Sequence, residues 1–386
     1  MLVGIVGAKL QGVEAAYLAR KAGWEIRVVD RKIGGPASKL GDSFAQVDVS
    51  EEGNLERTLG DVNLVIPALE NDDALRSLSQ WCLNTGVPLA FDPQAYAISS
   101  SKLKSAAFFK EMGIPIPAVW PQCSFPILAK PARSSGSKGV RVFSDSKTFD
   151  KWFSPDYPAQ DWIVEEYLNG SQHSLEVLGR PGNYRLLEVT DLYVDQNFDC
   201  KRVIAPSTLA LNLVADLEKL TLTIAEALKL NGIMDVEVIH SGGKLKILEI
   251  DARLPSQTPT AVYWSTNHNM VAHLGELHAE PQDIRPAAGD IVRGVVYEHI
   301  HVSGGILNIS GERVMTQGGP LKLQKGFFDA DEAITNYAPG KDKWVATLIF
   351  SEADRHQAWD KRNCSIAEMV RRLKIQKVID PRPDIE

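Results

Sequence analysis

Two short apolar runs carry acids where a core strand would carry none. Met234-Asp235-Val236-Glu237-Val238 and Leu248-Glu249-Ile250-Asp251 read as neighbouring strands. Side-chain alternation puts Asp235 and Glu237 on one face of the first, and Glu249 and Asp251 on one face of the second. Acids set among Ile233, Val236, Val238, Ile247, Leu248 and Ile250 are costly to bury unless a cation compensates them. Oxygen ligands with no His or Cys nearby suit Mg²⁺, which favours carboxylates together with phosphate oxygens. The alternative is a solvated strand face, and two such pairs on consecutive strands weigh against it. Upstream, Lys130 sits in an apolar run just before Pro131, where a buried ammonium needs an anion. Ser134-Ser135-Gly136-Ser137-Lys138-Gly139 follows, small residues that let backbone N–H groups turn around phosphate oxygens. Taken alone, that loop reads more readily as a flexible hairpin connection.

The elements that must position these groups follow from periodicity. Residues 2–6 form an apolar strand ending at Gly7, a helical pattern runs from Val13 to Arg20, and 24–30 is a second strand with Asp30 at its tip. This opening invites a dinucleotide site, but the glycines fall at Gly4, Gly7 and Gly12, with Lys9 where the fingerprint needs its second glycine. Gly7 and Gly12 then serve a tight turn and close helix packing, and Lys9 stands near a helix N-terminus that favours anions. Strands at 62–67 and 87–92 flank a helix at 72–82, which places a first α/β domain at about residues 1–95. A helix from Ser99 to Met112 leads to the Pro-rich connector Ile114-Pro115-Ile116-Pro117. Strands are expected at 126–131, 140–143, 162–167, 184–194, 233–239, 244–250 and 292–298, with helices at 209–230 and 365–374.

Of 386 residues, 42 are Lys or Arg and 49 Asp or Glu, a net charge of −7 that argues against a nucleic-acid or anionic-membrane coat. No apolar run approaches a membrane span, and the apolar start lacks a basic leader and a cleavage site. The four cysteines lie far apart, as reduced cytoplasmic thiols do. His173 and His299 read as structural histidines, and Cys200 has no partner His to make it a nucleophile.

A lysine on a strand, a Ser/Gly loop, the segment Val164-Glu165-Glu166-Tyr167-Leu168 and two acidic strands together resemble the ATP-grasp superfamily of carboxylate–amine ligases. The resemblance implies an α/β (α+β) ATP-grasp fold behind an amino-terminal Rossmann-like pre-ATP-grasp domain. Residues 1–95 would be that domain, 96–170 a linker helix and the small lobe, and 171–386 the large lobe with the metal and substrate site. Gly7–Leu18, Gly232–Glu237, Phe91-Asp92, Ala95-Tyr96, Ile98-Ser99, Ser174-Leu175-Glu176, Tyr297-Glu298-His299 and above all Arg253–Thr260 are similar to the branch that serves pyrrolysine biosynthesis. Its members join 3-methyl-D-ornithine to the side-chain amine of L-lysine.

That resemblance implies an enzyme using ATP and Mg²⁺ to make an acyl phosphate and then an amide. Glu237, Glu249 and Asp251 would hold the metal, with Asp235 a less certain ligand. ATP would meet Leu10, Gln11, Asp30, Asp48, Val49, Lys102, Lys130, Ser135, Ser137, Glu165, Glu166, Tyr167 and Leu168. Lys9 and Glu70 would flank the incoming lysine. Methylornithine would lie against Ser174, Glu176, Arg253, Ser256, Gln257, Thr258 and Glu298. Arg253, Glu70 and Lys130 would act in the chemistry. A ligase for another amino acid pair, a catalytically silent ATP-binding module and an NAD-dependent oxidoreductase are the competing readings.

Overall fold

Leu-Val-Gly-Ile-Val at the start is buried along almost its whole length, as a strand covered on both faces must be. In the computed structural model, which describes residues 1–132, 136–153, 162–279 and 292–381 (the side chain of residue 52 excepted), it is the centre of a parallel sheet. That sheet runs β3-β2-β1-β4, with β1 Leu2–Val6, β2 Glu25–Asp30, β3 Ser43–Gln46 and β4 Leu64–Pro67. Helix α1, Leu10–Lys21, crosses from β1 to β2, its backbone pressed so close that a Cβ on Gly12 would stand 2.1 Å from the Gly7 carbonyl oxygen. Close packing of the helix on the turn is therefore what these glycines provide. The expected strand at 87–92 is reduced to a single bridge between Val65 and Leu89.

The helix expected over 99–112 is two helices, Pro93–Ser99 and Lys102–Met112, because the Ser101 side chain accepts the Lys104 amide and starts a new N-terminus. A small antiparallel sheet follows in the order β6-β5-β7: β5 Ile127–Pro131, β6 Arg141–Phe143 and β7 Trp162–Glu166. Phe143 and Phe149 bury its back face, with Trp120 and Trp152 packed against them.

The remaining strands make one large sheet, of twelve strands among the described residues. They are β8 Ser171–Arg180, β9 Asn183–Leu186, β10 Thr190–Val194, β11 Cys200–Ala205, β12 Gly232–Ser241, β13 Lys244–Asp251, β14 Gly294–Ser303, β15 Ile306–Ile309, β16 Lys322–Phe327, β17 Ala330–Thr335, β18 Trp344–Glu352 and β19 Lys377–Ile379. Its path is β13-β12-β8-β10-β11-β14-β18-β17-β16, with β9 on β8, and β15 on β14 followed by β19. The run expected as one strand at 184–194 is thus split between β9 and β10, and the expected final helix is longer, Arg355–Leu373.

Helix Leu211–Leu228 lies on one face of the β13-β12-β8 end, sealing Leu175, Val177, Met234, Val236 and Ile250. On the other side, α1 packs against helices Thr258–Thr266 and Met270–His278. Val3, Ile5, Ala15, Val262, Met270 and Val295 consequently share one core, and the first domain is joined to the large sheet by buried apolar surface. Among the described residues, no helix is long and apolar enough to cross a membrane.

Candidate active site

The register of three strands sets out the acids. On β12, Glu237 faces Glu249 of β13 on one side and Ser174 of β8 on the other; two residues along, Asp235 faces Asp251 and Glu176. The result is a block of two rows, Ser174–Glu237–Glu249 and Glu176–Asp235–Asp251, on the sheet face opposite the helix Leu211–Leu228. Burial and mutual repulsion act together here. Asp235 and Glu237 are held well above the usual carboxylate range, while Asp251 is pushed up to about 7 and Glu176 to about 7, burial being the main cause in each. The Ser174 hydroxyl donates to Asp235 and, at 3.1 Å, to Glu176.

Cations stand along one edge. Lys102 Nζ is 2.7 Å from Glu249 Oε1, and Arg253 Nη2 is 2.5 Å from Asp251 Oδ2 and 2.6 Å from Glu70 Oε1. Gln11 Nε2 donates to the same Glu70 oxygen at 3.1 Å, so two of the residues expected from the first domain do reach the site. Asp251 Oδ1, Glu176 Oε2 and Arg253 Nε are buried without a hydrogen-bond partner. Among the described residues no three His, Cys, Asp or Glu side chains converge tightly enough to hold a metal alone. Carboxylates that are buried, mutually repelling and partly orphaned fit a hard divalent ion whose remaining ligands come from phosphate.

At the other end the cleft is apolar. Leu128, Leu192, Ile239, Leu248, Tyr167 and Phe198 line it, with Leu168 and Ser137 at its margin. Lys130 Nζ is 2.6 Å from Glu165 Oε1 across the β5–β7 pair. The Glu166 carboxylate accepts from the Ala118 amide at 2.7 Å and from Lys246, which holds the segment 165–168 against the floor. A bulge in β13 has a direct effect here. Val238 pairs with Ile247 and Glu237 with Glu249, leaving Leu248 as an extra residue. Both Leu248 and Glu249 therefore line the cleft, although they are adjacent in sequence. Ser135, expected on the phosphates, lies outside the described residues, as do Arg133 and Ser134.

Beyond Arg253 the wall is Ser256, Gln257 and Thr258, and here sequence reasoning missed two acids. Glu312 accepts from the Ser256 hydroxyl at 2.8 Å, and burial pushes it up to about 7; Asp199 is pushed up to about 6 for the same reason, opposed by the Arg313 amide 3.2 Å away. Both are acids in loops, where no strand or helix periodicity marks them.

Other expected residues lie elsewhere. Glu298 is fully buried between Arg202 and Arg362, whose Nε and Nη2 stand 2.9 and 3.0 Å from its oxygens, so its charge belongs to a structural ion network. Asp30 accepts the Ala8 and Lys32 amides, both at 2.8 Å, and so closes the turn after β1. Asp48 binds Ser50, and Val49 is part of the first domain's core. Leu10 opens α1, and Lys9 is its exposed N-cap. None of these residues is among those lining the cleft. His173 lies buried between Ser171 and Asp191, and His299 next to Thr347, both structural as expected; burial raises the Cys200 thiol well above its usual value.

A family model described as an ATP-grasp domain matches residues 99–257. The 3-methyl-D-ornithine–L-lysine ligase of Methanosarcina mazei is 33% identical over 93% of this chain and 93% of its own, and that of Methanosarcina acetivorans 32% identical over 94% and 96%. The fold is shared with the biotin carboxylase of Campylobacter jejuni, at a TM-score of 0.73 and 14% identity, covering 95% of this chain and 91% of that one. With lysines and buried acids gathered in the cleft, and a third of its residues shared along nearly its whole length, the chain belongs to the 3-methyl-D-ornithine–L-lysine ligase family of ATP-grasp enzymes, which form a carbon–nitrogen bond at the expense of ATP.

Proposed function

We propose that this enzyme joins the carboxylate of 3-methyl-D-ornithine to the side-chain amine of L-lysine, with ATP as the phosphoryl donor. The observation that carries this reading is the arrangement around Arg253: a guanidinium at the junction of the acidic block, Glu70 and the Ser256–Thr258 wall. Residues 1–95, 96–170 and 171–386 would be the three working parts of the enzyme.

Lys102 and Lys130, with the backbone of the loop that includes Ser135 and Ser137, hold the phosphates. The chain at Glu165–Leu168 and the apolar floor receive the adenine. Glu237, Glu249 and Asp251 would hold Mg²⁺, which when bound neutralises phosphate charge during in-line transfer. Arg253 pairs with the substrate carboxylate as a planar fork and stays beside it as it becomes the acyl phosphate. Glu176 takes one ammonium of the diamino acid, and Glu312 takes the other in place of Glu298. Burial has raised both carboxyls, and an arriving ammonium would relieve that cost.

Lysine then has to attack as the neutral amine. With a pKa of about 10.4 it is only about 0.04% neutral at pH 7, a handicap of about 4–5 kcal/mol. Glu70, beside Arg253, takes the proton. The test is a screen of amino acid pairs with ATP and Mg²⁺, read by phosphate release and by the mass of the product. The expected product is 3-methylornithinyl-N6-lysine. Turnover with a different pair overturns the substrate assignment, and no turnover with any pair points to a silent nucleotide-binding module.

A further inference from the structure

The helix Thr258–Thr266 begins in the substrate wall, yet its own N-cap does not cap it. Gln257 makes no side-chain hydrogen bond to the first turn, and Pro259 has no amide to offer. The donor left is the Thr260 N–H, at the position an N-cap Ser or Asp would satisfy. It is met from another domain: Glu14 Oε2 accepts from Thr260 N at 3.1 Å and from Thr260 Oγ1 at 2.6 Å, while the Tyr297 hydroxyl lies 2.6 Å from Glu14 Oε1. Glu14 is fully buried.

We propose that Glu14 is a positioning residue for the substrate end of the cleft: it caps from α1 the helix whose first residues carry Ser256, Gln257 and Thr258. A Ser or Asp at position 257 could cap the helix locally, but its side chain would then be used on the helix. With the cap supplied by Glu14, the Gln257 side chain is left to face the cleft, beside Glu312. Gln11, one turn before Glu14 on α1, reaches Glu70, so a single helix of the first domain contacts both flanks of Arg253. Burial pushes the Glu14 carboxyl up to about 8, so its role at neutral pH is that of a hydrogen-bonding group and needs no charge. An amide can fill it, with the oxygen toward Thr260 and the NH₂ toward Tyr297.

The assignment of the 256–258 wall to the diamino acid rests on the function proposed above, and the test separates the two. Full-length wild type, Glu14→Gln and Glu14→Leu are compared by hydrogen exchange over residues 257–262 and by KM for 3-methyl-D-ornithine and for ATP. Losing an N-cap of ordinary strength predicts about tenfold faster exchange in that segment for Glu14→Leu, and a KM for the diamino acid about tenfold higher with that for ATP unchanged. Glu14→Gln stays close to wild type in both. Thr260→Val, which keeps the volume and removes the hydroxyl, is expected to raise the same KM by a smaller factor and serves if Glu14→Leu does not fold. Equal rises in both KM values, or a Gln variant as impaired as the Leu variant, overturn the proposal. If wild type turns over no pair, the functional reading falls, while hydrogen exchange still decides the cap.

Discussion

Replacing Glu298 by Gln keeps the shape of the side chain and removes its charge from the protein interior. Glu298 is fully buried, as are Lys201 and Arg202, and Arg362 nearly so. Asp380 is a second acid of the network, with oxygens 2.7 Å from Lys201 Nζ and 2.6 Å from Arg202 Nη2. Among the described residues, the variant leaves Arg202 and Arg362, both buried, with the single carboxylate of Asp380. Breaking a buried pair in this way costs about 3–5 kcal/mol. With an unfolding entropy of about 2.1 cal/mol/K per residue over 386 residues, roughly 0.8 kcal/mol/K in all, the melting temperature should fall by about 4–6 °C. The drop is larger if the large lobe melts by itself. The assay pairs a thermal melt with steady-state kinetics well below the transition, where KM for the diamino acid should stay within about twofold of wild type. Glu312→Gln should do the reverse, raising that KM by about tenfold or more while leaving the melt nearly unchanged. A Glu298→Gln chain with unaltered melting and a tenfold higher KM for the diamino acid would refute the placement of Glu298 outside the cleft.

Gly12→Ala should be destabilising by about 1–3 kcal/mol or more, because its Cβ would meet the Gly7 carbonyl oxygen at 2.1 Å and neither backbone can yield; an unchanged urea midpoint counts against the packing argument. Arg253→Met removes charge-assisted bonds worth about 1.5–3 kcal/mol and should lower kcat/KM by roughly ten- to hundredfold, with Arg253→Lys only a partial substitute; a Lys variant equal to wild type would exclude a planar fork. The Glu14 carboxyl is raised in the folded chain from 4.5 to about 8, so its stabilising contribution is complete below about pH 4.5 and is lost as pH rises through about 8. Glu14→Gln lacks that slope, and its urea midpoint should gain on wild type between pH 5 and pH 8, with a ceiling on the order of 5 kcal/mol. Parallel pH curves for the two chains would show that Glu14 does not titrate as argued.

The acids of β12 and β13 were legible because alternation within a strand is a local property, and two polar pairs in apolar runs stand out in any window. The third column of the block was not legible from spacing. Ser174 and Glu176 meet Glu237 and Asp235 across about sixty intervening residues, and family resemblance alone suggested them. Glu298 shows the opposite failure. A Glu between Tyr297 and His299 in an apolar strand does mark a buried polar group, but its partners come from positions 202 and 362, which no local pattern connects. Asp30 similarly looked like a ligand because of its place at a strand tip, and its oxygens prove to be occupied by the turn itself. Glu312 had no signal at all, being one acid in a loop that the tertiary fold brings to Ser256.

The bulge at Leu248 makes this stretch of chain tolerant of a length change at one place. On the core side of β13 the buried residues are Leu245 and Ile247 before the bulge, and Ile250 and Ala252 after it, so the strand changes parity midway. Lys246 and Leu248 face the nucleotide end, and Glu249, Asp251 and Arg253 the acidic end, only because one residue is uncounted in the ladder. Deleting Leu248 alone would restore even spacing: Leu245, Ile247, Ile250 and Ala252 would keep the core face, and Lys246, Glu249 and Asp251 the cleft. A frame-preserving deletion of that one codon should therefore leave the chain folded and remove a single apolar side chain from the cleft. A one-residue gap at Leu248 is a change this strand can absorb without exchanging its faces.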